Sequence, residues 1–401
     1  MKEFELFFQL IVDSLNDSAG KAKKGRKERA KEYAGHWEEL HKELEAQTIT
    51  GLPYKFVKDH VDLAPEARMA YRLELMEIAT NYCANMQMQS EILEVLEKNE
   101  IPAVVLKGSA AAIYYPDPEI RAMGDIDIIV KPDCFEKAYN VLCANGFDAE
   151  PLDTGKRHNE LHKDGFELEL HIAFATLKDK NYRANLDNMI YKGIDERITG
   201  QVSGFEFPML PHDINGLTLL CHMDYHMEEG PGIRHLLDWM FFVEKHLDDQ
   251  EWHGNFKKKA ERIGLMTMAE VLTKCCQKYL GLTKTITWCN DADEALCDEL
   301  MEFIMHFGNF GSKDKDSILR GNILYMMKTP ADYIRFAQTF GLRTWKVLDK
   351  HPRLKPFAWI YQSFRFLSHG LKKRSGLDNS LRDYKMMERK NNLLKRIKSN
   401  H

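Results

Sequence analysis

Gly108-Ser109 is followed sixteen positions later by Gly124-Asp125-Ile126-Asp127. A glycine-serine turn can offer backbone amides and a hydroxyl to phosphate oxygens. Residues 125–130 alternate with the two-residue period of a strand, so Asp125 and Asp127 point to one side and Ile126, Ile128 and Val130 to the other. Carboxylates placed this way can share divalent cations roughly 3.5–4 Å apart, an arrangement that serves phosphoryl and nucleotidyl transfer. The competing reading of an isolated Asp-x-Asp is a solvated strand end.

A second alternating segment, residues 166–172, turns Phe166, Leu168, Leu170 and Ile172 one way and Glu167, Glu169 and His171 the other. If the two segments are neighbouring strands with apolar faces buried on the same side, Glu169 or Glu167 comes to lie beside the aspartates. Three clustered carboxylates repel unless a cation neutralises them, which predicts bound metal, Mg²⁺ first and Mn²⁺ as a substitute. An amphipathic edge strand with solvated glutamates is the alternative.

The positioning elements follow from these motifs. Ser109 opens a short helical run through Ile113, a place where orphan amides attract phosphate, and Pro116 and Pro118 stop that run. Lys107 and Arg121 flank the site and could meet phosphate oxygens, Arg121 in a bidentate fork, unless they are ordinary surface charges.

Taken together, Leu106-Lys107-Gly108-Ser109, Tyr115-Pro116-Asp117-Pro118 with Arg121, Gly124-Asp125-Ile126-Asp127 and Glu169-Leu170-His171 resemble the uncharacterised nucleotidyltransferase family of the DNA polymerase β-type superfamily. The likeness extends more weakly into residues 219–222 and 233–238. The resemblance implies a nucleoside triphosphate donor, ATP the first candidate, and two metal ions held by Asp125, Asp127 and a third acid. It further implies that Gly108 and Ser109 hold the triphosphate, with Lys107, Arg121 and Gly124 completing the nucleotide-binding set. The third acid is a glutamate where the wider superfamily more often has aspartate, and both Glu169 and Glu167 are open for the role.

Composition fits such an enzyme. The 401 residues leave room for more than one packed unit, and 44% hydrophobic with 29% charged residues describes a globular chain. A net charge of −5 argues against an overall nucleic-acid footprint. No uncharged run reaches the length of a membrane span. Acids at Glu3 and Glu5 are unlike a signal peptide, and the eight cysteines lack metal-finger spacing. The expectation is a cytoplasmic protein with reduced cysteines.

The predicted fold is α+β: a mixed-sheet nucleotidyltransferase core at 99–211, a helical region at 1–98 before it, and a large helical domain at 212–401 after it. Residues 4–15 and 66–99 carry helical spacing; 103–106 reads as the first core strand, 135–144 as a helix ended by Asn145-Gly146, and strands follow near Phe147, Phe166 and Phe205. Asp213 is the expected N-cap of a helix through His226, with another helix at 233–246 and further ones near 255–280, 291–308, 331–348, 354–370 and 381–398. His158 and His162 fall in an expected turn.

Other features weigh less. His222 and His226 stand four apart on one helix, but Met223 occupies the place where a metalloprotease motif needs glutamate, so a polar face near the cleft or plain packing remains. Arg234 and Asp238 read as an i,i+4 structural pair. His171 could orient Glu169 or touch phosphate. Basic residues crowd 21–29 and 372–398; the latter could grip RNA, or be the solvated face of a last helix. The function that fits best is metal-dependent transfer of a nucleoside monophosphate to an acceptor, a small molecule or protein hydroxyl before nucleic acid. The rivals are a non-catalytic nucleotide-binding or interaction module, a toxin-like enzyme modifying RNA or a partner protein, and a phosphotransferase attacking the γ-phosphate.

Overall fold

The computed structural model describes residues 2–20, 25–227, 230–313, 329–349, 351–372 and 377–398. The chain packs as two compact units, residues 1–310 with 397–401, and residues 311–396. Four helices open the first unit, α1 (Glu5–Ser18), α2 (Arg26–Gly35), α3 (Trp37–Ala46) and α4 (Tyr54–His60), followed by the 34-residue α5 (Pro65–Lys98). Residues 21–24, the start of the first basic stretch, lie outside the described residues.

A seven-stranded mixed sheet follows: β1 (Ala103–Leu106), β2 (Ile126–Val130), β3 (Asp148–Ala149), β4 (His158–Lys163), β5 (Phe166–His171), β6 (Ile198–Val202) and β7 (Phe205–Met209), in the order β3-β4-β5-β2-β1-β7-β6. An α+β class is what the alternating segments predict, and it is what the structure has. Between the strands lie α6 (Gly108–Ala112), α7 (Pro132–Ala144) and α8 (Lys180–Asp195). Proline at the first helical position starts both α5 and α7, and Gly146 at φ 88° follows the end of α7.

One core cluster packs on the sheet face away from the acids. Ile126, Ile128 and Val130 of β2 and Leu168 and Leu170 of β5 are buried with Met86, Ile92 and Leu96 of α5 and Phe135, Ala138 and Leu142 of α7. Burying these apolar side chains, each worth about 1.5–3 kcal/mol, fixes the strand register, because a one-residue slip would turn every one of them to the other face. The acids follow passively to the opposite side.

Two strands were not anticipated. His158 and His162 lie in β4 and not in a turn; the turn is Asp164-Gly165, with φ 50° and 84°, joining β4 to β5 as a tight hairpin. Ser203-Gly204, φ 47° and 85°, joins β6 to β7 in the same way. Both dipeptides favour two-residue hairpin turns with two left-handed residues.

After the sheet come α9 (His212–His226) and α10 (Ile233–His246). Asp213 does not cap α9: Pro211 holds the cap position, two residues earlier, and the Asp213 carboxylate pairs with Lys259. A Cβ on Gly216 of α9 would stand 2.3 Å from the Phe242 ring of α10, so only glycine lets these helices approach as they do. Helices at Met266–Cys275 and Glu294–Phe307 complete this unit. In the second unit, Pro330–Thr344 begins with reciprocal capping between Thr329 and Asp332, and the Trp345 and Tyr361 rings stack at 4.8 Å. The basic tail is helical over Leu377–Lys398, while residues 373–376 lie outside the described residues. Among the described residues no helix is long and apolar enough to cross a membrane, and all eight cysteines are free, with Cys83 exposed.

Candidate active site

β2 and β5 run parallel with Asp127 in register with Glu169, and Ile129 with His171. β4 adds His158 opposite His171 and Glu160 opposite Glu169. Registered partners share a face, so three strands deliver acids and imidazoles to one patch. Carboxylate oxygens of Asp125, Asp127 and Glu169 all lie within 4.8 Å of one another. Asp125, just before β2, is exposed; Asp127 is 3% exposed. Glu167 is exposed and registers with His162, so the geometry gathers Glu169 and leaves Glu167 outside.

Cationic groups hold this patch together. Lys107 Nζ stands 2.6 Å from Asp127 Oδ1 and 3.7 Å from Glu169 Oε2. His171 Nε2 lies 2.9 Å from the same Asp127 oxygen and 3.2 Å from Glu169 Oε2. Burial opposes the His171 imidazolium, but the hydrogen bonds to Asp127 and Glu169 outweigh it and raise its pKa. Burial likewise opposes ionisation of Glu169, yet the His171 hydrogen bond and the Lys107 charge hold it well below the usual carboxylate range. Lys107 and His171 offset only part of the charge that Asp125, Asp127 and Glu169 can carry, and the patch is oxygen-rich, which suits a hard divalent cation.

The turn from β1 to α6 carries the phosphate-side residues. Lys107 has φ 48°, a left-handed conformation that costs a non-glycine residue about 1–3 kcal/mol, and it swings the ammonium onto Asp127. Gly108 and Gly124 line the pocket as expected, and a Cβ on Gly124 would meet nothing within 4 Å. Ser109 departs from expectation. Its hydroxyl is fully buried and donates to Gln89 Oε1 at 2.6 Å, so it anchors α6 to α5 and faces away from the pocket.

Arg121 departs as well. Its fork closes on Asp238 of α10, Nε and Nη2 each 2.9 Å from a carboxylate oxygen, and the Tyr115 hydroxyl donates to the same carboxylate at 2.8 Å. The expected Arg234–Asp238 pair is therefore not formed. Arg234 is half-buried at the pocket wall, its guanidinium 5.6 Å from the centre of the Phe310 ring, and among the described residues no carboxylate lies within ion-pair distance of it. Burial and the neighbouring Arg121 lower its pKa.

The pocket holds about 820 Å³ of empty space, its open mouth included. The carboxylates and Lys107 form one wall; Arg157 and His158, Phe174, and Tyr225 with His222, His226 and Arg234 form the others. Arg157, His158, Tyr225, Arg234 and Phe310 had no place in the sequence-level site. The Asp164-Gly165 turn, read as a hairpin, would have put His158 on the strand beside Glu169.

No curated protein matches the chain. A family model described as uncharacterised nucleotidyltransferase matches residues 33–281, which spans α3 to the end of the helix at 266–275 and contains every residue of the acidic patch. With more than half of its length so matched, the chain belongs to the uncharacterised nucleotidyltransferase family.

Proposed function

We propose that the chain transfers a nucleoside monophosphate from a triphosphate, ATP first, to a hydroxyl on a small molecule or protein, with pyrophosphate as the second product. The observation that carries this reading is the convergence of Asp125, Asp127 and Glu169 oxygens within 4.8 Å, next to the Lys107-Gly108 turn, in a member of a nucleotidyltransferase family. The three carboxylates fit a pair of Mg²⁺ or Mn²⁺ ions, with Asp127 placed between its two acidic neighbours. When bound, such ions neutralise phosphate charge and acidify an attacking hydroxyl.

The chain's own residues divide the remaining work. Asp125 reaches into the open mouth, whereas Asp127 is fixed from below by Lys107 and His171. Lys107 lines the pocket as well as holding Asp127, so its ammonium can serve a phosphate oxygen. Arg234, half-buried with no carboxylate at ion-pair distance among the described residues, and Arg157 supply positive charge on the facing wall. Arg121 is a positioning residue, acting through Asp238 and Tyr115.

One observation favours a nucleotide-binding module without turnover: Lys107 already sits 2.6 Å from Asp127, where it offsets part of the patch's negative charge without metal. Incubation with Mg²⁺ or Mn²⁺ and triphosphates labelled at the α- or γ-phosphate, with cell extract as acceptor source, separates the readings. Transfer of α-label with pyrophosphate release is expected, and Asp127→Asn should lower it on the order of a thousandfold while the fold persists. Transfer of γ-label would mean a phosphotransferase, and no transfer the binding module.

A further inference from the structure

His222 and His226 lie one turn apart on α9, and His235 is the third residue of α10. The Gly216–Phe242 approach holds the two helices close enough for the rings to form a triangle, with centroids 4.5, 4.7 and 5.0 Å apart. One ring nitrogen from each lies within 4.8 Å of the other two, and His222 Nε2 is 2.9 Å from His226 Nε2.

We propose that His222, His226 and His235 form a separate metal centre for a borderline transition-metal ion, Zn²⁺ in the first place, with an open coordination position toward the pocket. Three imidazoles without a carboxylate select Zn²⁺ over Mg²⁺, the reverse of the preference of the acidic patch. Packing alone leaves His235 poorly explained: it is 3% exposed, and its Nε2 has no hydrogen-bond partner among the described residues. A buried polar atom without a partner is costly, and a metal bond would relieve that cost. Burial holds all three rings in the neutral form that ligates, His226 down to about 3.

Protons can be placed without loss or gain. Binding at both facing Nε2 atoms moves the proton they share to that ring's Nδ1. Binding at His235 Nε2 moves its proton to Nδ1 and gives up the 3.2 Å hydrogen bond from the Gly232 amide. His222 and His226 line the same pocket as the carboxylates, so the open position faces the space where substrate must lie. Lys107 and Arg234 disfavour a bare cation there, while the Glu169 charge favours one. The centre therefore suits an anionic fourth ligand, such as an acceptor oxygen. Only that last role rests on the nucleotidyltransferase reading; the metal site does not.

The test uses the full chain stripped with chelator and titrated with Co²⁺ alone, then Zn²⁺. The expected result is the intense visible absorption of four-coordinate Co²⁺, abolished by one equivalent of Zn²⁺. His226→Gln and His235→Gln should each weaken Zn²⁺ binding on the order of a hundredfold, and Asp127→Asn should change it less than about threefold. Should His235→Gln fail to fold, the wild-type spectrum and His226→Gln decide. Absence of Zn²⁺ binding, a weak six-coordinate spectrum, or binding lost in Asp127→Asn and kept in His226→Gln would overturn the proposal.

Discussion

Arg121 and Arg234 carry the same guanidinium and have opposite surroundings. Arg121 and Asp238 satisfy one another in a buried bidentate pair, so removing one partner strands the other. Asp238→Asn should cost about 3–5 kcal/mol in urea denaturation; a loss under about 1 kcal/mol would show that the pair is not structural. Arg234 is a half-buried cation with no carboxylate at ion-pair distance among the described residues, an arrangement that favours an anionic ligand over stability. Arg234→Met should raise the melting temperature by about 2–4 °C, and raise KM for the triphosphate about 10- to 100-fold with a smaller effect on kcat. An unchanged KM would remove Arg234 from the binding wall. Of the residue-scale picture, the acids were legible, because alternation states which side chains share a face. The arginines were not: Arg121 finds its acid 117 residues away, and no local pattern announces that pairing.

At the scale of elements, parallel β2 and β5 set the distance between Asp127 and Glu169, and the buried isoleucines and leucines behind them set the register. That alternation was readable in both segments. β4 was not read, since Leu161 is its one strongly apolar residue and the hairpin signal lay in Asp164-Gly165. α9 and α10 meet partly through stacked His212 and His246 rings, centroids 3.7 Å apart. Burial lowers both pKa values, that of His246 to about 4, with His212 adding repulsion. Unfolded histidine, at about 6.5, binds protons that the folded rings refuse, so this stability is complete above pH 6.5 and is lost as pH falls toward 4. Each ring contributes at most about 1.4 kcal/mol per pH unit, less for solvent screening of half-open groups. His246→Phe should flatten the acid arm of a stability-against-pH curve; an unchanged slope would show that the stack plays no part.

For the whole molecule, the helical front, the sheet and the helices through residue 310 pack as one unit, and the family match falls inside it. The sheet order was beyond sequence reasoning. β1 sits between β2 and β7, a strand about one hundred residues later, and only the joint burial of both sheet faces decides that pairing. What such a sheet accomplishes is to hold Asp127, Lys107 and His171 in a buried knot, with Asp125 and Glu169 at its accessible edge. Crystals grown with Mn²⁺ and an ATP analogue carrying a methylene bridge between the α- and β-phosphates would test this most directly, read by anomalous scattering. The account predicts two Mn²⁺ peaks bound by Asp125, Asp127 and Glu169, with Lys107 Nζ displaced from Asp127 toward phosphate. Full analogue density with no Mn²⁺ on those three side chains, and Lys107 still on Asp127, would contradict it.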